Sequence, residues 1–339
     1  MKYISINGPY EVEIKETAIQ EPKEGEALLK MLYGGICGTD LSIYRGKFAY
    51  GSYPRIPGHE FSAEIVKIGK NDRGLKEGML VTANPYMNCG SCYSCQRGLV
   101  NCCMHNETMG AQRDGSYGEF FVMPIERIYD GKGLPAKTLA LIEPLCISFH
   151  GTRRASIKPG EKVLVIGSGT IGILAALSAK YFGAEVYVSD IAAERLKHAE
   201  TLGVDGTILN DSDHALADAV DRITGGNGFD VAIEAVGLAA TFQSCIDAAA
   251  FGGRVVLIGI SKQHLDFDFT VIQKKELNVY GSRNALKEEF LTLIDLVKEG
   301  RINVEKVVSK IYLFQEAGEA LAELDKNGGG LLKVLLKFD

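Results

Sequence analysis

The sequence has no surplus of positive charge. Its 37 Lys and Arg residues are outnumbered by 43 Asp and Glu residues, which gives a formal net charge of −6. A surface that binds nucleic acid needs a basic face to meet the phosphates. The charge balance therefore excludes nucleic-acid binding as the main function, and it argues against a nucleic-acid-binding ribbon in any cysteine-rich segment.

Long hydrophobic runs are also missing. No apolar stretch approaches the roughly 20 residues that a membrane-spanning helix needs, and the chain starts on a strand-like alternation instead of a basic and then apolar leader. We therefore expect no membrane span and no secretion, and predict a cytoplasmic protein. Internal repeats, low-complexity tracts and long charge runs are absent as well, as in an ordinary globular chain.

Glycine and cysteine are the residue types that stand out. The 39 glycines gather at turns and at strand-to-helix junctions, without a fixed period. Of the eight cysteines, five lie between Cys89 and Cys103. In a reducing compartment disulfides are rare, so this crowding points toward a metal. The length of 339 residues suits two domains.

The pattern of strands and helices changes along the chain. The first ~145 residues contain short strands broken by glycine-rich corners, whereas from residue 162 apolar strands alternate with helical stretches. This alternation predicts an α/β fold with a doubly wound parallel sheet of about six strands, preceded by a small β domain. The tail has an amphipathic helix over 288–299 and a strand over 333–338, which we expect to fold back onto the first domain.

A glycine motif follows the first apolar strand of the second half. The strand over 162–166 runs into GSGTIG at 167–172 and then into an apolar helix. Gly167 permits the tight turn, Gly169 lets backbone amides approach a pyrophosphate, and Gly172 lets the helix press on the strand. Asp190 ends the next strand, where a carboxylate binds the adenosine ribose and repels a 2′-phosphate. The motif alone also suits any glycine-rich turn, but together these features predict NAD in preference to NADP.

Four cysteines are spaced as C-x2-C-x2-C-x7-C. Four thiolates at this spacing can surround a tetrahedral ion and leave no open position, which predicts a structural zinc site. An iron–sulfur cluster and unpaired core cysteines are the alternatives. Cys102 is one residue off the spacing. The four predicted ligands are Cys89, Cys92, Cys95 and Cys103.

A second possible metal site is scattered along the first half. Cys37 lies in GGICGTD, His59 in GHE and Glu143 in EPL. On the residues alone this set only suggests a metal site, because each of the three can equally be a packed or a solvated side chain.

The motifs occur in the order found in the zinc-containing medium-chain dehydrogenase/reductases, and the chain resembles that family over essentially its full length. The shared motifs are GICGTD at 35–40, PGHE at 57–60, the four cysteines, DGSYGEF at 114–120, EP at 143–144 and the glycine motif. Within the family the chain is most similar to the sorbitol, threonine and sugar-acid dehydrogenases, especially the L-galactonate and L-gulonate 5-dehydrogenases. That similarity rests on SYPR at 52–55, RRA at 153–155 and GSRNA at 281–285.

The resemblance implies a GroES-like catalytic domain and a Rossmann domain. The catalytic domain is expected to comprise residues 1–148 with the tail 284–339, and the Rossmann domain residues 149–283. The catalytic zinc is expected on Cys37 and His59, with Glu60 and Glu143 as acidic ligands. These two carboxylates can exchange, or one can act through water, so the choice between them stays open. Asp40 matches a position that orients the ligand histidine.

The resemblance also implies a reaction. Zinc activates a hydroxyl of the substrate, and a hydride passes between the carbon that bears this hydroxyl and NAD. Thr39 matches the family's hydroxyl relay position and is expected to carry the proton. Many relatives place His at the next relay position, where this chain has Ser42, so the proton can leave through Ser42, a ribose hydroxyl or water.

Further residues are expected at the cofactor and the substrate. Thr170, Ile171, Arg195 and Arg283 join the glycines and Asp190 as cofactor-binding residues. Arg113 lies in a loop that borders the substrate cleft in the family, and its planar guanidinium suits a carboxylate such as that of an aldonate. A surface pairing of Arg113 with its neighbour Asp114 is the alternative.

The sequence therefore predicts an NAD-linked oxidoreductase with two zinc ions per chain, acting on a polyol or a sugar acid. Sorbitol-, threonine- and simple-alcohol-type dehydrogenases are the alternatives within the family. The cysteines and Asp190 argue against a zinc-free quinone or enoyl reductase, and the presence of Cys37, His59 and Glu143 argues against a non-catalytic NAD- and zinc-binding protein. We expect a homodimer or homotetramer, in which strands near Val255 and Val279 extend a sheet across a two-fold axis.

Overall fold

The computed structural model describes residues 1–48, 52–260, 263–327 and 330–338. The chain forms two compact units. The first comprises Met1–Glu143, Leu286–Gly300 and Val307–Asp339, and the second comprises Pro144–Ala285 and Arg301–Lys306. The first unit is therefore built from segments at both ends of the sequence.

The first unit consists mainly of short strands connected by glycine-rich corners. Its strands are β1 (Lys2–Gly8), β2 (Glu11–Glu16), β3 (Glu26–Gly35), β4 (Glu60–Ile68), β5 (Leu80–Ala83), β6 (Tyr86–Met87), β7 (Glu107–Thr108), β8 (Phe120–Pro124), β9 (Ile128–Asp130), β16 (Val308–Leu313) and β17 (Lys333–Lys337). Its helices are α1 (Gly38–Tyr44), α2 (Tyr93–Gln96), α3 (Ala136–Leu139), α10 (Lys287–Lys298) and α11 (Ala317–Asn327).

Strand β3 organises the main sheet of this unit. The sheet has the order β16-β17-β3-β4-β5-β9, and β8 also pairs with β3. Most of β3 is buried, which explains its apolar sequence EALLKMLYGG. Strand β17 runs antiparallel to β3, with Leu335 opposite Gly35. The last strand of the chain thus completes a sheet that begins near residue 26.

The second unit alternates strands and helices. Its strands are β10 (Lys162–Ile166), β11 (Glu185–Asp190), β12 (Gly206–Leu209), β13 (Phe229–Glu234), β14 (Ala249–Leu257) and β15 (Asn278–Gly281). Its helices are α5 (Thr170–Tyr181), α6 (Ala193–Thr201), α7 (Ala215–Thr224), α8 (Ala239–Ala248) and α9 (Thr270–Lys275).

The six strands of the second unit form one parallel sheet in the order β12-β11-β10-β13-β14-β15. This is the strand order of a dinucleotide-binding fold, so the predicted doubly wound sheet is confirmed. Most residues of β10 and β13 are buried because these two strands lie in the middle of the sheet. Val279 lies on the edge strand β15, whereas Val255 on β14 is fully buried inside the sheet. Of these two strands, β15 alone lies at an edge of the sheet, and the expected oligomer stays a prediction.

The described helices are short. Helix α4 (Ile142–Arg154) has 13 residues. Helix α10 buries Phe290, Leu293 and Ile294 on one face, and the ring of Phe290 stacks on Tyr129 at 5.1 Å. Within the described ranges, no helix has the length and apolar character that crossing a membrane requires.

An ion pair joins β14 to the turn before β10. Arg254 donates to Glu161 (2.6 Å) and to the carbonyl of Ala155 (2.9 Å). Burial alone would raise the pKa of Glu161, but the hydrogen bond and charge of Arg254, with the amide of Lys158, lower it below its ordinary value. The ionised carboxylate therefore stabilises the folded unit at neutral pH, and this stabilisation is lost as the pH falls through the folded-state pKa.

We expect Glu161→Gln to lower the free energy of unfolding by about 1 kcal/mol at pH 7, since the pair is largely shielded from solvent. At an acid pH below the lowered pKa of Glu161, the parent carboxyl is also neutral, so the difference should shrink toward zero. Urea denaturation at both pH values measures this. Glu194→Gln, which removes an exposed pair with Lys197, is the control. An equal loss at both pH values would contradict the electrostatic explanation.

Candidate metal centres and dinucleotide site

Asp40 connects the two segments that carry Cys37 and His59. Cys37 is the N-cap residue of α1. The Asp40 carboxylate accepts hydrogen bonds from the amides of Cys37 (2.9 Å) and Gly58 (3.2 Å). Asp40 is fully buried, and burial raises its pKa in spite of the nearby His59 charge. The family resemblance predicts that Asp40 orients the histidine ring. The observed hydrogen bonds fix the backbone of both segments, and the orientation of the ring by Asp40 stays a prediction.

The loop that presents His59 is packed so closely that only glycine fits at position 58. Gly58 has a φ of +99°, and a Cβ there would lie 2.1 Å from Cδ1 of Tyr117. On the other side, a Cβ at Gly115 would lie 2.3 Å from the carbonyl oxygen of Gly58. Tyr117 is itself held by a hydrogen bond to the carbonyl of Gly35 (2.7 Å). The backbone that leads into His59 is therefore set by contacts on both sides.

Three of the four predicted catalytic ligands meet. One ligand atom from each of Cys37, His59 and Glu60 lies within 4.8 Å of the others. His59 is 5% exposed and Glu60 1%, and the buried Nδ1 of His59 has no hydrogen-bond partner among the described residues. Sulfur, imidazole nitrogen and carboxylate oxygen are the donors that zinc accepts, and an unpaired buried nitrogen is costly without a partner. The donor set therefore fits a zinc ion.

Glu143, the fourth predicted ligand, is electrostatically coupled to this group. It is the second residue of α4 and is 3% exposed. Burial lowers the pKa of His59, but the charges of Cys37, Asp40 and Glu143 outweigh it and raise that pKa well above its ordinary value. Burial, reinforced by the charge of Glu60, raises the pKa of Glu143 to about 7. Among the described residues, the close group nevertheless contains Glu60 and not Glu143.

The carboxylates of Glu60 and Glu143 are held by two buried residues, Lys333 and Tyr86. The sequence patterns do not indicate either residue. Lys333 on β17 donates to Glu60 (2.5 Å) and to the carbonyl of Ile36 (3.0 Å). Burial lowers the pKa of Lys333, but the charge of Glu60 raises it above its ordinary value. The hydroxyl of Tyr86 donates a hydrogen bond to Glu143. Glu60 and Lys333 are 273 residues apart in the sequence. Their contact can therefore be predicted only when the pairing of β17 with β3 is known.

The four spaced cysteines also meet. One sulfur from each lies within 4.8 Å of the others. The amide of Cys92 donates to the sulfur of Cys89 (3.4 Å), and the amide of His105 donates to that of Cys103 (3.3 Å). The backbone amides of Ser91 and Cys92 lower the pKa of Cys89 to about 6. The amide donors favour the thiolate of Cys89, and the four close sulfurs fit a closed four-sulfur zinc site. The members are Cys89, Cys92, Cys95 and Cys103, whereas Cys102 lies outside the group.

The predicted proton-relay residues lie on α1. Thr39 is half-buried and follows Cys37 by two positions. Ser42 is also half-buried, and its hydroxyl donates to the carbonyl of Gly38 (2.9 Å). The Ser42 proton is therefore already engaged within the helix.

Arg113 is a surface residue with a different partner from the expected one. It lies 3.9 Å from Glu107, with both side chains about half exposed. Asp114, the neighbour considered in the sequence, pairs with Arg55 at 3.1 Å. Arg113 lines a cavity of about 590 Å³ whose described lining includes none of the four predicted catalytic ligands. These contacts give no support to a role for Arg113 in binding substrate.

The glycine motif forms the turn between β10 and α5. Gly167 has a φ of +102°, and a Cβ at Gly172 would lie 1.8 Å from the carbonyl oxygen of Gly167. Gly169 is the N-cap of α5, and a Cβ there would meet no atom within 4 Å. Thr170 and Ile171 are the first helical residues. The open space at this helix N-terminus suits a phosphate group.

Asp190 lies directly beside this turn. One of its oxygens accepts hydrogen bonds from the amide and the hydroxyl of Ser168 (both 2.7 Å), and the other accepts one from the amide of Ala192 (2.9 Å). Arg195 lies 3.8 Å from the same carboxylate. The structure thus brings Asp190 and Arg195 to the glycine turn, and it adds Ser168, which the motif does not single out. Arg283 is exposed and follows β15 by two residues.

Two family models match the chain. The one described as an alcohol dehydrogenase GroES-like domain matches residues 23–132, and the one described as a zinc-binding dehydrogenase matches residues 170–299. The first match lies in the first unit, which contains both groups of metal-ligand residues. The second match includes most of the parallel sheet.

Individual proteins give the same result. L-galactonate-5-dehydrogenase of Escherichia coli (strain K12) is 36% identical, over 100% of this chain and 99% of that protein. Sorbitol dehydrogenase of Halalkalibacterium halodurans is 31% identical, over 95% of this chain and 94% of that protein. The crystal structure of an E. coli CFT073 protein, described as a short chain alcohol dehydrogenase with NADH, has a TM-score of 0.92 at 30% identity, covering 100% of this chain and 99% of that one. The chain belongs to the zinc-type alcohol dehydrogenase family of oxidoreductases.

Proposed function

We propose that the chain is a zinc-dependent, NAD-linked dehydrogenase that transfers a hydride between a secondary hydroxyl of a polyol or sugar acid and nicotinamide. The observation that carries this proposal is the meeting of Cys37, His59 and Glu60 in a group whose imidazole Nδ1 is buried and has no hydrogen-bond partner in the described part of the chain. Cys37 follows β3, His59 directly precedes β4 and Glu60 begins it, so the antiparallel pairing of β3 with β4, in which Gly35 lies opposite Glu60, brings the three residues together. A purely structural role would not require a mixed sulfur, nitrogen and oxygen donor set.

The two groups of ligand residues differ in the way that catalytic and structural zinc sites differ. The four-cysteine group is closed, whereas the group of Cys37, His59 and Glu60 supplies three ligands and leaves one position open. When bound there, zinc supplies Lewis acidity toward a substrate hydroxyl, and bound NAD supplies the hydride acceptor. We assign Glu60 as the third ligand because it belongs to the close group. Glu143, held by Tyr86, is the neighbouring carboxylate.

The surrounding residues hold the ligands and move the proton. Asp40 fixes the segments of Cys37 and His59 through their backbones, and Lys333 balances the buried charge of Glu60. Thr39 takes the proton of the substrate hydroxyl at its Oγ1. The hydroxyl of Ser42 already donates to a helix carbonyl, which favours a ribose hydroxyl or water as the next carrier.

The second unit binds NAD in this proposal. The N-terminus of α5 receives the pyrophosphate, and Asp190 receives the adenosine ribose. Ser168 and Ala192 hold the Asp190 carboxylate in one orientation. A fixed negative charge at this position disfavours the 2′-phosphate of NADP.

An aldonate such as L-galactonate or L-gulonate is the substrate that we favour. The support comes from similarity, because the relative that is 36% identical is an L-galactonate-5-dehydrogenase. A neutral polyol is the second candidate, since a sorbitol dehydrogenase is 31% identical over nearly the whole chain.

The two metal sites predict different effects of cysteine substitution. We expect about two zinc ions per parent chain. Cys37→Ser should retain about one zinc ion and the parent unfolding temperature, while turnover falls at least ~100-fold because Lewis-acid stabilisation is lost. Cys92→Ser should lower the unfolding temperature, since structural zinc contributes folding energy. Elemental analysis, thermal unfolding and NAD reduction measure these effects. A Cys37→Ser protein that turns over at the parent rate would contradict the assignment.

Removal of the Asp190 carboxylate should relax cofactor choice. We expect Asp190→Ala to raise kcat/KM with NADP relative to NAD by roughly tenfold or more, because the charge that repels the 2′-phosphate is gone. Glu185→Ala removes a carboxylate from the other end of β11 and should leave the ratio unchanged. Equal use of NAD and NADP by the parent protein would count against this assignment.

Substrate charge can be tested with matched compounds. We expect the parent protein to have a higher kcat/KM for L-galactonate or L-gulonate than for the corresponding polyol. Because Arg113 pairs with Glu107, Arg113→Ala should leave this ratio within about twofold, as should Arg222→Ala on α7. A guanidinium that contacts the carboxylate contributes about 1.5–3 kcal/mol. A ten- to hundred-fold fall in the Arg113→Ala ratio would therefore restore Arg113 as the residue that recognises the acid.

A further inference from the structure

Glu234 is a buried carboxylate in the second unit that the proposed chemistry does not use. It is the last residue of β13 and is 2% exposed. A buried carboxylate needs hydrogen-bond donors or a counter-charge, so its partners show what it holds in place.

The Glu234 side chain organises the loop that follows β13. Its Oε1 accepts hydrogen bonds from the amides of Val236 (2.9 Å) and Gly237 (2.8 Å) and from the hydroxyl of Thr241 (2.7 Å). Two of these donors are in the loop, and the third is in the first turn of α8. The loop is therefore folded around one carboxylate oxygen.

The same residue also holds the loop after β14. Its backbone carbonyl accepts hydrogen bonds from the amides of Ile258 (2.9 Å) and Gly259 (3.1 Å). A Cβ at Gly259 would lie 2.4 Å from Oε2 of Glu234 and 2.3 Å from the amide nitrogen of Gly237. The two loops thus touch each other and the carboxylate at a distance that only glycine allows.

These loops lie beside the glycine turn. A Cβ at Gly167 would lie 2.6 Å from Cγ2 of Val236, and a Cβ at Gly172 would lie 3.5 Å from Cβ of Ala235. Strands β10 and β13 are neighbours at the point where the strand order reverses, and ligands of such sheets bind at the carboxyl ends of the strands there. Val236 is 45% exposed at this edge, so it offers apolar surface next to the turn.

We propose that Glu234 is a positioning residue for the nicotinamide half of the cofactor, a proposal that rests on the proposed binding of NAD. The glycine turn and Asp190 serve the pyrophosphate and the adenosine. The strand order reverses between β10 and β13. Asp190 on β11 lies on one side of this point, and the loops after β13 and β14 lie on the other side, where the nicotinamide half of the dinucleotide would bind. Glu234 holds Val236 in place against the glycine turn, and thereby fixes the wall on which that half rests.

The test compares a whole cofactor with one of its fragments. NADH contains both halves, whereas AMP contains only the adenosine half. We expect Glu234→Gln to weaken NADH binding roughly tenfold, because hydrogen bonds to a charged acceptor become bonds to a neutral one. The Kd of AMP should stay within about twofold of the parent value. NADH binding is followed by the fluorescence of the nicotinamide itself, because the chain contains no tryptophan, and AMP is followed by calorimetry.

Two variants complete the design. Thr241→Ala removes one of the three donors to Oε1 and leaves the charge, so it should weaken NADH binding less than Glu234→Gln, by roughly two- to fivefold. It also keeps the proposal testable if Glu234→Gln does not fold. Glu185→Gln changes a hydrogen-bonded carboxylate at the amino end of β11, away from the carboxyl ends of the strands. It should leave the Kd of both NADH and AMP unchanged.

Three results would overturn the proposal. Equal weakening of NADH and AMP would show that Glu234 supports the whole sheet edge, and unchanged binding of NADH in both Glu234→Gln and Thr241→Ala would show that it positions nothing. If the parent protein binds neither NADH nor AMP, the proposed function fails first and this inference fails with it. A selective loss of NADH affinity, with a smaller shift in nicotinamide emission on binding, is the expected result.

Discussion

The buried carboxylate of Asp40 is the constraint on which the candidate catalytic centre depends. Two short connections present the sulfur and the imidazole, one between β3 and α1 and the other directly before β4. Asp40 accepts one amide hydrogen bond from each loop, and close packing at Gly58 removes the remaining freedom. Because the constraint acts on backbone atoms, the ligand side chains are left free to face an ion. Preorganisation of this kind lets a metal bind without first ordering the chain.

Charge balance is the second requirement of the same region. Asp40, Glu60 and Glu143 are all buried, and buried like charges are unfavourable unless cations offset them. Lys333 supplies one positive charge, and a zinc ion would supply two more. The phenol of Tyr86 adds a hydrogen bond without adding charge. The arrangement therefore makes sense as a centre built around a cation.

The sequence was sufficient for features that follow from local pattern. The parallel sheet was predictable because apolar strands alternate with helical stretches from residue 162 onward, and the four-sulfur group was predictable from spacing. The four-residue β12 and the two-residue β6 and β7 exist through pairing and have no signal of their own. Lys333 and Tyr86 are visible only through tertiary contacts. The contact of Arg113 with substrate stays a prediction, because a motif position does not determine the direction of a side chain, and here Arg113 lies 3.9 Å from Glu107.

The pairing of β17 with β3 has a consequence for biosynthesis. A ribosome releases β3 and Glu60 early, but Lys333 and β17 emerge only after the entire dinucleotide-binding unit. Domains tend to fold as soon as their residues are available during synthesis. The second unit can therefore fold before β17 and Lys333 are available to the sheet of the first unit. Until β17 emerges, Tyr33–Gly35 of β3 lack the strand that pairs with them, whereas β8 can already pair with Glu26–Lys30. An unpaired strand edge is a place where another chain can bind.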